Sequence, residues 1–405
     1  MLSVHVPRAV ARALYTTVTA AAAGMLLTGT TLAGTARAST LPVTYDFATA
    51  FAATVTSPTT PPRGANNFSC KPTAGHPYPV ILVHGTVENM DDNWQAASPL
   101  LANNGYCVFA FNYGGSSADA DFQGTGSIAA SAQQLASFVS TVLAATGASK
   151  VDLVGHSQGG MMPRYYINFL GGAAYVNALV ALAPPNYGTT LDGLTTLFSD
   201  VGASSPISSC ESCAEQAQGS SFLDNLNVRP TVPGVQYTVI ETKDDEVVTP
   251  YTNAFLPTAS NVTNITLQHQ CALDATDHLE IAYDPIALAD VLNALDPAHP
   301  VRVPCLVVLP LTGPVGLVPP QLVVAHSQVE HEPGRERPRD ADHHVAVGCL
   351  LLRCQDRVPV VGSAREDGRF AGAADPLLAV AHHPGNPRPH RVEDGYAGGH
   401  LDRES

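Results

Sequence analysis

The run Gly155-His156-Ser157-Gln158-Gly159 restricts the fold of this chain more than any other feature. It follows Lys150-Val151-Asp152-Leu153-Val154, which has the apolar weight of a buried strand, and precedes Met161 to Leu170, whose spacing predicts a helix. A serine at such a strand-to-helix turn, with glycine two residues to either side, has a strained backbone that lifts its hydroxyl clear of the sheet. It also stands at a helix N-terminus, where aligned peptide dipoles favour a developing oxyanion. Ser157 therefore reads as a nucleophile.

Around this turn, apolar runs alternate with helix-length segments from Pro77 onward, the pattern of a parallel sheet covered on both faces. Strands are predicted at Val80 to Val83, Tyr106 to Phe111, Val151 to Val154, Val176 to Leu182 and Val235 to Ile240. Helices are predicted at Trp94 to Ala102, Ser127 to Thr146 and Ile286 to Leu295, as well as after the serine. The segment 184–229 is rich in Ser, Gly and Thr, shows little periodicity and is long for a connection inside a compact sheet. The expectation is a lid or cap, with a padded surface excursion as the alternative.

A serine hydroxyl needs a base, and the base needs a carboxylate to orient it. In a sheet of this kind the acid follows a strand downstream of the serine and the histidine comes last. The strand at 235–240 ends in Glu241-Thr242-Lys243-Asp244-Asp245-Glu246. Asp245 is the preferred acid because it turns into Val247 and Val248; Asp244 is second, and Glu241 and Glu246 are expected to be solvated. His278, in a loop before the last helix, is the preferred base over His269 and His299. The oxyanion donors are expected to be the backbone amides of Gln158 and of Thr86, in Val83-His84-Gly85-Thr86. His84 and His156 are read as buried packing and hydrogen-bonding neighbours.

These residues carry a resemblance. Pro79 to Thr86 with Asn93-Trp94, Gly105-Tyr106-Cys107-Val108, Gly155 to Arg164, Asp245 to Tyr251, and Asp277-His278 with Ala282-Tyr283-Asp284-Pro285 resemble the secreted bacterial lipases of the class 2 family, in the family's order, over about residues 65–310. The resemblance implies an α/β-hydrolase fold and a triacylglycerol lipase or carboxylesterase. It also implies a triad of Ser157, Asp245 and His278, with no organic cofactor; no metal is expected, because Cys210-x-x-Cys213 lacks the second ligand pair that a zinc site needs. Asp244 is an additional acid beside the family's one, and the C-terminal tail lies outside the family's pattern. Rival readings are a short-chain esterase or polyester depolymerase, an acyltransferase in which an alcohol replaces water, and a binding protein without activity.

Composition narrows the partners. A net charge of -15 repels phosphates and argues against a nucleic-acid partner, leaving an acyl ester or lipid substrate, met at an oil-water interface, for a monomer. Arg8 and Arg12, an apolar run from about Val18 to Ala33, and Ala36-Arg37-Ala38 read as a signal peptide over 1–38, with secretion and no lasting membrane span. Eight cysteines suit an oxidising destination. Cys70 is paired with Cys107, at the edges of neighbouring strands, while Cys210 is left to pair with Cys213 or either of them with Cys271. Residues 39–305 form the expected catalytic domain. Leu306 to Pro320 is apolar and Pro/Gly-rich; from Gln321 to the end the chain has ten arginines, eight of its fifteen histidines and no Lys, Ile, Met or Trp, as if GC-rich DNA were translated out of frame, so within the tail 306–405 the residues 321–405 are expected to be largely disordered.

Overall fold

A computed structural model describes residues 40–202, 209–316 and 318. The expected signal peptide and nearly all of the C-terminal tail lie outside these residues.

Six short strands build the sheet: β1 (Val80–Val83), β2 (Val108–Phe111), β3 (Val151–His156), β4 (Val176–Leu182), β5 (Gln236–Glu241) and β6 (Val262–Thr266). They are all parallel, in the order β2-β1-β3-β4-β5-β6. Parallel neighbours need crossovers: α2 (Ala97–Asn103) joins β1 to β2, α3 (Ile128–Thr146) joins β2 to β3, α4 (Gln158–Phe169) joins β3 to β4, and α5 (Leu191–Asp200), α6 (Glu211–Gln216) and α7 (Ser221–Asn227) join β4 to β5, whereas α1 (Phe47–Thr54) precedes β1, and α8 (Leu267–Gln270) and α9 (Pro285–Leu295) follow β6. A two-stranded antiparallel ribbon, β7 (Val308–Leu309) and β8 (Gly313–Pro314), follows.

Side chains alternate across each strand, so the sheet splits the apolar interior into two layers. Val80 and Leu82 of β1 join Val108, Ala110, Val154 and Val180 in one core, closed by α1, α2, α5 and α9. Ile81 and Val83 join Phe109, Phe111, Leu153 and Val239 in the other, closed by α3, α4 and α7. Burial on both faces explains the uninterrupted apolar runs of the central strands. Among the described residues α3 alone is long and apolar enough to cross a bilayer, and its stripe of Ile128, Leu135, Val139 and Val142 is buried against the sheet.

The register aligns the strand ends that matter. Val83 sits opposite Gly155 and Phe111, His156 opposite Leu182, and Leu182 opposite Ile240. The loops leaving β1, β3 and β5 therefore open on one rim, the carboxyl edge where parallel sheets place their ligands.

The predicted strands fall within one or two residues of those observed, and β6 and α1 were not anticipated. Three disulfides are present among the described residues. Cys70 pairs with Cys107 as expected, Cys210 with Cys213, and Cys271 with Cys305. The open alternative of Cys271 with Cys210 or Cys213 is corrected: the chain after α9 returns beside Asp274, which bridges to Val308, and brings Cys305 to Cys271.

Candidate active site

Gly155 and Gly159 give the elbow its shape. A methyl group on Gly155 would lie 1.9 Å from the carbonyl oxygen of Gly159, and one on Gly159 would lie 2.0 Å from that of Val83. With both positions bare, β3 turns directly into α4 at Ser157, whose backbone is held at φ 52° and ψ -124°. A non-glycine residue there carries strain of roughly 1–3 kcal/mol, held by the surrounding packing.

His278 is wholly buried, and its Nδ1 lies 2.9 Å from Asp245 Oδ2. The other Asp245 oxygen accepts the backbone N–H groups of Val247 and Val248 at 2.8 and 2.6 Å, so three donors fix the carboxylate. Burial works against the charged imidazole, but the charge and hydrogen bond of Asp245, with Glu246 and Glu88 adding to them, lift the His278 pKa to about 9. The hydrogen bond to Asp245 places the Nδ1 hydrogen, which leaves Nε2 as the free basic nitrogen. That Nε2 is buried and makes no hydrogen bond. The ring lies against the elbow: its centroid is 5.0 Å from that of His156, the residue before Ser157.

Of the competing acids, Asp244 is exposed. Glu241 and Glu246 differ from expectation. Glu241 is fully buried at the end of β5, where burial and the charge of Asp245 hold its carboxyl well above the carboxylate range. Glu246 is half-buried, with its pKa raised by burial to about 7, and accepts the backbone N–H of His278 at 3.3 Å. The turn after β5 is packed under the base loop, so both face protein instead of water. His269, on α8, and His299 are both exposed, and His299 is paired with Asp296.

Thr86 and Gln158 are buried side by side, with Thr86 Oγ1 donating to Gln158 Oε1 at 2.7 Å. Among the described residues no backbone acceptor receives the N–H of either. Gln216 of α6, which the sequence did not single out, reaches Gln158 Oε1 at 3.1 Å and Thr86 Oγ1 at 3.0 Å. Glu88 was also missed. It accepts from Gly85 N at 3.1 Å and from Asn93 Nδ2 at 2.8 Å, and pairs with His156 at 2.8 Å. The available signal was an acid three residues beyond the glycine of the first loop. His84 is buried as read, stacked on Tyr113 with its pKa pushed down by burial to about 4. No cluster of three or more His, Cys, Asp or Glu among the described residues is arranged to hold a metal.

The family model for lipase (class 2) matches residues 77–288, more than half of the chain. The chain belongs to the class 2 lipase family. It is 43% identical over 93 residues to a triacylglycerol lipase of Pseudarthrobacter phenanthrenivorans, a stretch covering 22% of this chain and 27% of that protein. It matches a triacylglycerol lipase of Burkholderia plantarii equally well over 93 residues, covering 22% and 24% of the two chains. The matched stretch thus spans about a quarter of the length of these relatives. Among solved structures, Aspergillus fumigatus lipase B aligns with a TM-score of 0.47 and 20% identity, covering 60% of this chain and 57% of that one. Bacillus licheniformis lipase BlEst2 in its mature form aligns with a TM-score of 0.39 and 17% identity, covering 58% and 96%.

Proposed function

We propose that this class 2 lipase is a secreted serine hydrolase that cleaves acyl esters, triacylglycerols above all, through Ser157, His278 and Asp245. The hydrogen bond from a buried imidazole to Asp245, beside a serine elbow, carries the reading. His278 Nε2 takes the Ser157 hydroxyl proton as Oγ attacks the ester carbonyl carbon. The resulting oxyanion is held by the amides of Thr86 and Gln158, and the imidazolium passes its proton to the departing alcohol oxygen. Water, deprotonated by the same nitrogen, then releases the acid. The three disulfides suit export, the expected role of residues 1–38.

Access supports a lipid substrate. Ser157 is 3% exposed and His278 0%, so an ester reaches them only if something moves. The segment 184–229 contains α5, α6 and α7, and Asp200, at the end of α5, is near enough to His278 to feel its charge. Both ends of the segment are pinned: the buried Arg164 donates to Asn186 at 3.0 Å, Asn227 at 2.7 Å and the Pro230 carbonyl at 3.1 Å. Between those pins, α5 presses Leu194, Leu197 and Phe198, and its capping residue Val201, into the core. Exposing such side chains to water costs about 1.5–3 kcal/mol each, whereas an oil surface receives them. We assign α5 as the lid.

Ser157→Ala is expected to abolish p-nitrophenyl ester hydrolysis, and a fluorophosphonate offered with detergent micelles should label Ser157 alone. Labelling of any other residue, or hydrolysis by Ser157→Ala, refutes the assignment. Rates across acyl lengths, with and without an emulsion, separate a lipase from a short-chain esterase.

A further inference from the structure

Behind the proposed triad lies a second acid and imidazole that the reaction does not use. His156 is completely buried, with Nδ1 2.8 Å from Glu88 Oε2 and Nε2 2.8 Å from the main-chain carbonyl oxygen of His278. A carbonyl only accepts, so Nε2 carries a hydrogen. A carboxyl oxygen and a ring nitrogen come this close only with a proton between them, so one proton also lies between Glu88 and Nδ1. Glu88 is itself 1% exposed and accepts the N–H of Gly85, the residue before the oxyanion donor Thr86. Asn93 braces it, donating to Glu88 Oε1 at 2.8 Å and accepting from Gly85 N at 3.2 Å.

We propose that Glu88 and His156 are positioning residues that lock the oxyanion loop, the serine elbow and the base loop into one rigid unit, with His156 gripping the backbone of His278. This rests on the reading of Ser157 and His278 given above. The three segments lie far apart in sequence, and one carboxylate with one imidazole joins them. Ordinary packing would fill the same space with apolar side chains at no cost in desolvated charge. A buried polar pair whose free end holds the catalytic base instead sets where that base stands. A displacement of about 1 Å at such a centre lowers turnover by roughly 100-fold.

The test uses the full chain and three variants that keep side-chain size close to native. In His156→Gln the amide nitrogen still reaches the His278 carbonyl. In His156→Asn it reaches only the Glu88 side. Glu88→Gln keeps an acceptor for Gly85 but removes the shared proton. We expect His156→Asn and Glu88→Gln to lose about 10-fold to 100-fold in kcat with KM within about twofold, and to slow fluorophosphonate labelling of Ser157 in proportion. His156→Gln should recover most of that turnover. The proposal is overturned if His156→Asn keeps turnover within about twofold of native, or if His156→Gln is no better than His156→Asn. Should Glu88→Gln not fold, the two His156 variants decide alone. Unmodified protein that fails to label at Ser157 would instead sink the proposed function, so the two failures are distinct.

Discussion

At the residue scale the governing quantity of the proposed reaction is the protonation of His278. A base must be neutral to act, and with its pKa lifted to about 9 the imidazole is protonated below that pH. We therefore predict that kcat/KM climbs with pH along an acid limb centred near 9. Glu246 is among the charges that lift it, so Glu246→Gln should move this limb toward lower pH; a limb that stays put or moves up contradicts the role given to His278. The elbow at Ser157 and the loop that pairs His278 with Asp245 were legible because the fold sets each at a particular kind of turn, and local sequence displays those turns. The neighbouring acids were not. Glu241 and Glu246 sit in a charged run that looks solvated, and only the base loop folding over it shows that they are covered.

At the scale of elements, the base loop is clamped at several points. Cys271 and Cys305 are bonded, Asp274 bridges to Val308, and Glu280 accepts the backbone N–H of Phe47 at 2.9 Å. Closing a loop of 34 residues' separation stabilises the fold by roughly 4 kcal/mol on chain entropy alone. Replacing both cysteines with serine should lower stability by about 2–4 kcal/mol, read from the shift of the urea midpoint. Little change would mean that the bridge and hydrogen bond hold the loop unaided. The central strands were legible because burial on both faces leaves continuous apolar runs. β6 was not, since Val262-Thr263-Asn264-Ile265-Thr266 is an edge strand whose middle residues Thr263 and Asn264 are polar and exposed. The helices α5 to α7 were hidden for another reason. They are short and rich in Ser and Thr, and they owe their formation to caps such as Thr190 accepting from Gly193 N and Ser220 from Leu223 N, and to packing on the core.

For the molecule as a whole, buried acids set the response to pH. Burial raises Asp152 and Glu246 to about 7 and Glu280 to about 9, and holds Asp92, Glu241 and Asp284 well above the carboxylate range. Each then binds its proton more tightly folded than unfolded. The stability this gives is complete below the unfolded carboxyl pKa and drains away as pH rises through the folded values. His278, also raised, contributes in the same sense: in full below about 6.5, and lost on passing about 9. The thermal midpoint should therefore fall from pH 6 to pH 9 while turnover rises. Glu280→Gln keeps an acceptor for Phe47 N and cannot ionise, so it should flatten the fall. An equal fall in that variant would place the alkaline sensitivity elsewhere.

The near-total enclosure of Ser157 also bears on what the molecule does when no oil is present. Under the proposed function and lid, a catalyst so enclosed would lie dormant in dilute buffer, soluble esters and water-borne poisons finding no doorway until an oil droplet arrives to wake it.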